Sequence, residues 1–213
     1  MSVQRVVVVG ASAGGIRALE ALVAGVPAGF TAPMIVALHL AAGHKPLLPL
    51  VLNCAGALAA ATAEDGERLR NGRIYVAPPD RHLMIHRENL RVTRGARQNR
   101  FRPSIDALFQ SAAYYFGSRT IAIILSGALS DGSRGLYAIK RLGGLAAVQH
   151  PDDATHSSMP LSAMRRVGVD YALPAAEIGP LLAELVQRAP SDEPADAHSY
   201  RIELESNMDI AAA

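Results

Sequence analysis

Val6-Val7-Val8-Val9-Gly10-Ala11-Ser12-Ala13-Gly14-Gly15 decides the fold. Four consecutive β-branched residues leave no polar side to turn toward water. That is the pattern of a strand buried on both faces, as parallel sheets require. A glycine-rich turn follows, and Gly14–Val23 then reads as a helix. A buried strand, a tight turn and a helix open a doubly wound α/β domain.

The same rhythm continues outward. Met34–Leu38 is a second buried strand and His44–Cys54 a second helix. Leu58–Thr62 and Arg73–Ala77 are strands, with the turn Glu64-Asp65-Gly66 between them. Leu83–His86 and Leu90–Thr93 read as an antiparallel hairpin. Ser104 is placed to cap a helix reaching Phe116. Ile121–Leu125, Ala146–Gln149 and Asp170–Leu173 are strands. They alternate with helices at Ser133–Leu142, Met159–Val167 and Glu177–Arg188. The expectation is a three-layer α/β/α sandwich, mostly parallel, with an inserted hairpin. Residues 1–188 form one domain, and 189–213 an acidic, flexible tail in which Arg201–Leu204 reads as a lone strand.

Composition narrows the function classes. Half of the 213 residues are hydrophobic and 19% are charged, which excludes a disordered chain. A single cysteine excludes a disulfide framework and a thiolate-rich metal site. Cys54, beside Val51, Leu52 and Ala55, reads as a small buried residue. No stretch is long and apolar enough to span a membrane, and no secretory signal is legible, so the expected location is the cytoplasm. Charge is uneven: residues 1–187 carry a net +6 and residues 188–213 a net −4. Seven arginines and one acid lie between Arg81 and Arg102. They form either a solvated face or a docking surface for an acidic partner. Nucleic acid is disfavoured, because few aromatics accompany the arginines and no binding motif is present.

The first turn admits three readings. Gly10-Ala11-Ser12-Ala13-Gly14-Gly15 approximates a dinucleotide fingerprint, but Ser12 replaces the glycine that lets backbone approach a pyrophosphate. Strand two also ends in His39, where a ribose-binding acid is wanted. Gly10 to Gly14 fits a nucleophile elbow, G-x-S-x-G, which projects a hydroxyl from the C-terminal edge of the sheet near a helix N-terminus. The third reading is an incidental serine in a glycine-rich turn. A nucleophilic serine needs a base, and His39, closing the adjacent apolar strand, is the best placed of seven histidines. The carboxylate that orients the base is open on spacing alone among Asp80, Asp131, Asp152 and Asp153. An elbow after the first strand, followed by the histidine, is not the order of an ordinary α/β-hydrolase.

An ordered series of motifs resembles the catalytic domain of the CheB chemotaxis protein-glutamate methylesterases. It runs Val9–Gly15, His39, Glu64–Glu67, Tyr75–His82, Asn99–Asp106, Leu125-Ser126-Gly127, Asp131-Gly132 and Met159-Pro160. The resemblance covers about residues 3–187. It places the family's nucleophile on Ser12, its histidine on His39 and its aspartate on Asp131. Gly10, Gly14 and Gly15 then shape the elbow, and Ala13 and Ala128 support an oxyanion through the backbone. The implied activity is hydrolysis of glutamate γ-methyl esters, and by extension of glutamine amides, on chemoreceptor-like proteins, with no cofactor and no metal. The implied partners are methylated receptor helices or a similar acidic helical protein, with Arg97, Arg100 and Arg102 as docking cations.

Ala13 stands where the family commonly has threonine. Ala128 and Leu129 stand where it commonly has methionine and glycine. The alternatives are therefore a catalytically weakened signalling module of the same scaffold, or a Rossmann-type nucleotide binder. Relatives often carry an N-terminal receiver domain. These 213 residues begin at the first catalytic strand, so phosphorylation control in cis is not expected within them, and the activating partner is unidentified.

Overall fold

The computed structural model describes residues 3–40 and 47–212, with side chains through Ser206. Seven strands form one parallel sheet: β1 (Val6–Ala11), β2 (Met34–Leu38), β3 (Ala59–Thr62), β4 (Arg73–Val76), β7 (Thr120–Ile124), β8 (Leu145–Gln149) and β9 (Tyr171–Leu173). Their order is β3-β4-β2-β1-β7-β8-β9. The remaining strands, β5 (His82–His86) and β6 (Asn89–Thr93), make an antiparallel hairpin. The sandwich with an inserted hairpin is the architecture that the alternation implied.

β1 lies at the centre, with Val9 beside Val36 of β2 and Ile123 of β7. Side chains alternate between faces along a strand. Val6 and Val8 enter one core, while Val7 and Val9 enter the other. All four are fully buried, each worth about 1.5–3 kcal/mol of transfer free energy. The first core is covered by α3 (Ile105–Phe116), α4 (Ser133–Arg141) and α5 (Ser158–Arg166). The second is covered by α1 (Gly15–Ala24), α2 (Leu48–Ala55) and α6 (Ala175–Leu185).

The hairpin extends the first core outward. Leu83, Ile85 and Leu90 pack into it, and the Ile85 N–H donates to Ser111 Oγ of α3 at 3.0 Å. The loop between β3 and β4 runs along the hairpin, exchanging backbone bonds between Gly66, Glu67 and Leu90. α3 starts at Ser104, whose Oγ accepts from the Ala107 N–H, satisfying a helix-end donor.

Two expectations need correction. Cys54 is exposed. It sits two residues beyond the buried Leu52 on α2, about 200° around a helix of 3.6 residues per turn, and so faces outward. Arg201–Leu204 is helical, not extended, and belongs to α7 (Ala197–Ala212). Ala197 and Leu204 of α7 are buried against the first core, and the Arg201 Nε donates to the Tyr114 carbonyl at 3.0 Å. The expected start of the second helix, His44, lies outside the described residues. Among the described residues no helix is long and apolar enough to cross a membrane.

Candidate active site

The C-terminal ends of β2, β1 and β7 are neighbours in the sheet. From β1 the chain first builds β2, β3 and β4 on one side and later β7, β8 and β9 on the other. This is the switch point at which open α/β sheets bind ligands. Ser12 follows β1, His39 follows β2 and Asp131 lies in the loop after β7.

The elbow is built from backbone bonds. The Ser12 N–H donates to the Ser126 carbonyl at 3.0 Å, and the Gly15 N–H donates to the Ser12 carbonyl at 2.9 Å. Gly14 has φ 74°, and a Cβ there would stand 2.7 Å from Ser126 Oγ and 2.8 Å from Thr155 Cβ. Gly10 is required by a close approach: its Cβ would stand 2.3 Å from Ile105 Cγ2 of α3. Gly15 packs on Ala11 and Leu38. Ser126 braces the turn from behind, donating from Oγ to the Ala13 carbonyl at 2.8 Å and accepting from the His156 N–H at 2.9 Å.

The three side chains converge. His39 Nδ1 lies 3.1 Å from Ser12 Oγ, and His39 Nε2 lies 2.9 Å from Asp131 Oδ2. A carboxylate only accepts, so Nε2 carries the proton and Nδ1 presents its lone pair to the hydroxyl. The ring is used in the opposite sense to the serine-protease template, where Nε2 faces the serine. Phe101 stacks on the imidazole, with ring centroids 3.6 Å apart and planes 5° apart.

Asp131 is 1% exposed and sits on the N-terminus of α3. Its Oδ2 accepts from the Ile105 N–H at 2.7 Å, and its Oδ1 accepts from Asn99 Nδ2 at 2.8 Å and Ser104 Oγ at 3.2 Å. Burial pushes the carboxyl up. The hydrogen bonds from His39, Asn99 and Ile105 outweigh it and hold the group below the usual carboxylate range. The helix end adds partial positive charge of the sign that a carboxylate needs.

The other acids are engaged elsewhere. Asp80 takes Arg102 at 2.7 and 3.0 Å; the Arg102 bond holds its carboxyl below the usual range. Asp153 accepts from Gln149 Nε2 and the Ala175 N–H. Asp152 lies in the loop beside His150.

A cavity of about 400 Å³ opens at Ser12, lined among others by Ala13, Ile16, Arg17, Leu40 and Thr155. Ala13 is therefore beside the hydroxyl. Gly127, the residue before Ala128, approaches Ser12 closely: a Cβ on it would stand 2.9 Å from Ser12 Cβ. The chain then turns to solvent, leaving Ala128 and Leu129 exposed and outside this cavity. Leu129 has φ 70°, a left-handed conformation that is costly for a residue standing where the family has glycine. Arg97 and Arg100 are exposed, and Arg97 lies 3.5 Å from Asp80. Arg102 is not a free cation, being held by Asp80 and the Gly95 carbonyl.

Sequence reasoning did not single out Phe101, Asn99, Ser126 or Thr155. Asn99, Phe101 and Ser126 lie inside the quoted motifs, which was the available signal; Thr155 carried none. Among the described residues no cluster of three or more His, Cys, Asp and Glu is placed to hold a metal ion.

Known proteins similar to this chain identify its family. A family model described as CheB methylesterase matches residues 7–182. A putative protein-glutamate methylesterase/protein-glutamine glutaminase of Leptospira interrogans is 38% identical over 85% of this chain and 94% of its own length. A protein-glutamate methylesterase/protein-glutamine glutaminase of Thermotoga maritima is 34% identical over 85% of this chain, which spans 54% of that relative. The crystal structure of the Thermotoga maritima CheB methylesterase catalytic domain superposes with a TM-score of 0.82 at 33% identity, covering 85% of this chain and 98% of that one.

Proposed function

The chain belongs to the CheB methylesterase family, and on that premise we propose that Ser12, His39 and Asp131 hydrolyse glutamate γ-methyl esters, and glutamine side-chain amides, on chemoreceptor proteins. The observation that carries the reading is the continuous chain of contacts from hydroxyl to imidazole to carboxylate, at 3.1 and 2.9 Å.

The steps follow from the atoms. Neutral Nδ1 of His39 takes the Ser12 proton as Oγ attacks the ester carbonyl. Asp131 accepts from Nε2–H and stabilises the imidazolium as it forms. The Ala13 N–H, next in the chain to the nucleophile and inside the cavity, donates to the oxyanion. The tetrahedral adduct collapses, the C–O bond to methoxide breaks, and Nδ1–H returns the proton to give methanol. Water then enters, His39 takes one of its protons, and the acyl-enzyme is cleaved to glutamate and free Ser12. An amide substrate releases ammonia by the same route. Phe101 covers one ring face and holds the imidazole in the plane of both partners.

A fluorophosphonate tests the nucleophile directly. Mass spectrometry is expected to find a single adduct on Ser12, and His39→Ala is expected to slow labelling at least about a hundredfold. Labelling at another serine, or an unreactive wild-type protein, contradicts the assignment.

A further inference from the structure

Two carboxylates, not one, are buried behind His39. Asp106, in the first turn of α3, is 4% exposed and is not part of the proposed hydroxyl–imidazole–carboxylate chain. Its Oδ1 accepts from the Gly135 N–H of α4 at 2.7 Å. Asp131, just before α4, accepts in turn from the first N–H groups of α3. Each helix thus caps itself with an acid supplied by the other. The two helices cross closely here: a Cβ on Gly135 would stand 2.4 Å from Phe109 Cβ.

Asn99 joins the two acids. Its Nδ2 donates one hydrogen to Asp106 Oδ2 at 2.7 Å and the other to Asp131 Oδ1 at 2.8 Å. Two residues further along the same loop, Phe101 lies flat on His39. One amide therefore bridges two like charges and anchors the loop that covers the imidazole. Asn99 adopts φ 50°, a left-handed conformation that asparagine tolerates better than most residues.

We propose that Asn99 and Asp106 are positioning residues which, by fixing Asp131 and the Phe101 loop, set the pH at which His39 takes up a proton.

Like charges sharing a buried site cannot both ionise freely. Burial first, then the charge of Asp131, pushes the Asp106 carboxyl up to about 7. Asp106 therefore changes charge in the range in which a histidine base works. The other charged groups facing this cluster are few. His82 accepts the Ser104 N–H on Nδ1 and donates from Nε2 to the Ala96 carbonyl, and burial pushes its pKa down. Arg102 and Asp80 form their own ion pair. Removing the Asn99 amide drives Asp106 toward its neutral form but also takes a donor from Asp131, and Asp131, in direct contact with the ring at 2.9 Å, dominates, so imidazolium is favoured. Removing the Asp106 charge disfavours it.

This inference rests on the active-site reading for its consequence in rate, but not for its test. Titration of the His39 ring by NMR, which needs no turnover, is done in wild type, Asn99→Ala and Asp106→Asn, each shown folded by its spectrum. Asn99→Ala is expected to move the midpoint to higher pH and Asp106→Asn to lower pH, each by about half a pH unit or more. Asn99→Ala, lying in an exposed loop, keeps the test available if Asp106→Asn fails to fold. A purely structural role predicts midpoints unchanged in both variants, and that result, or a shift in the same direction for both, overturns the proposal. The methylesterase reading fails separately, if folded wild type titrates as described yet releases no methanol.

Discussion

At the scale of the residue, the site is three side chains whose protons are assigned by what surrounds them. Asp131 accepts from five donors including His39, so it stays ionised and dictates the imidazole tautomer. Asp131→Asn keeps the shape but turns an amide N–H toward His39 Nε2. The proton then moves to Nδ1, where the serine needs a lone pair. Turnover is expected to fall by about 10⁴ with folding intact, by the logic of the serine-protease triad. Steady-state kinetics beside circular dichroism checks this, and a loss under tenfold contradicts it. Ser12 and His39 were legible in the sequence because each closes an apolar strand. Spacing left Asp131 level with other loop aspartates, and only the resemblance singled it out. The structure shows why: Asp80 is taken by Arg102 and Asp153 by Gln149, pairings between distant loops that no local pattern carries. Phe101 and Asn99 escaped for the same reason.

At the scale of the element, buried parallel strands announce themselves as continuous apolar runs, and β1, β2 and β7 were read nearly to the residue. Helix ends and exposed faces were less legible. Cys54 has apolar neighbours in sequence but points away from Leu52 in space. α7 has acidic and apolar residues without a clean stripe, and its helix is held because Ala197 and Leu204 are buried in the first core and Arg201 bonds the Tyr114 carbonyl of α3. That tertiary information is absent from a local window. The loop after β7 supplies a test of backbone energetics. Leu129 holds φ 70° while 57% exposed, so its side chain contributes little burial to offset about 1–2 kcal/mol of left-handed strain. Glycine removes the strain but adds freedom to the unfolded chain. Leu129→Gly is expected to raise stability by a net of about 0.5–1 kcal/mol in urea unfolding. A destabilised variant contradicts the account of this loop.

At the scale of the whole molecule, the charge distribution meets the active site through one segment. The loop whose Phe101 covers His39 also carries Arg97 and Arg100, both exposed, while Arg102 is consumed by Asp80. We propose that these two exposed arginines, of which Arg97 reaches Asp80 at 3.5 Å, guide acidic receptor helices to Ser12. Surface charge acts through solvent and is screened within about 10 Å at 0.1 M salt. Raising salt is therefore expected to lower kcat/KM on methylated receptor several-fold while leaving a small neutral methyl ester nearly unchanged. Arg97→Gln with Arg100→Gln is expected to remove most of that difference, and equal salt sensitivity for both substrates would make these arginines a solvated face. The central claim is simpler than docking: one hydroxyl, activated through Nδ1 of His39, opens a glutamate methyl ester. Methanol released from a methylated chemoreceptor cytoplasmic fragment, followed in parallel for wild type and Ser12→Ala, measures it most directly. The account predicts steady release by wild type and none above background by the variant; equal release by the two would contradict it.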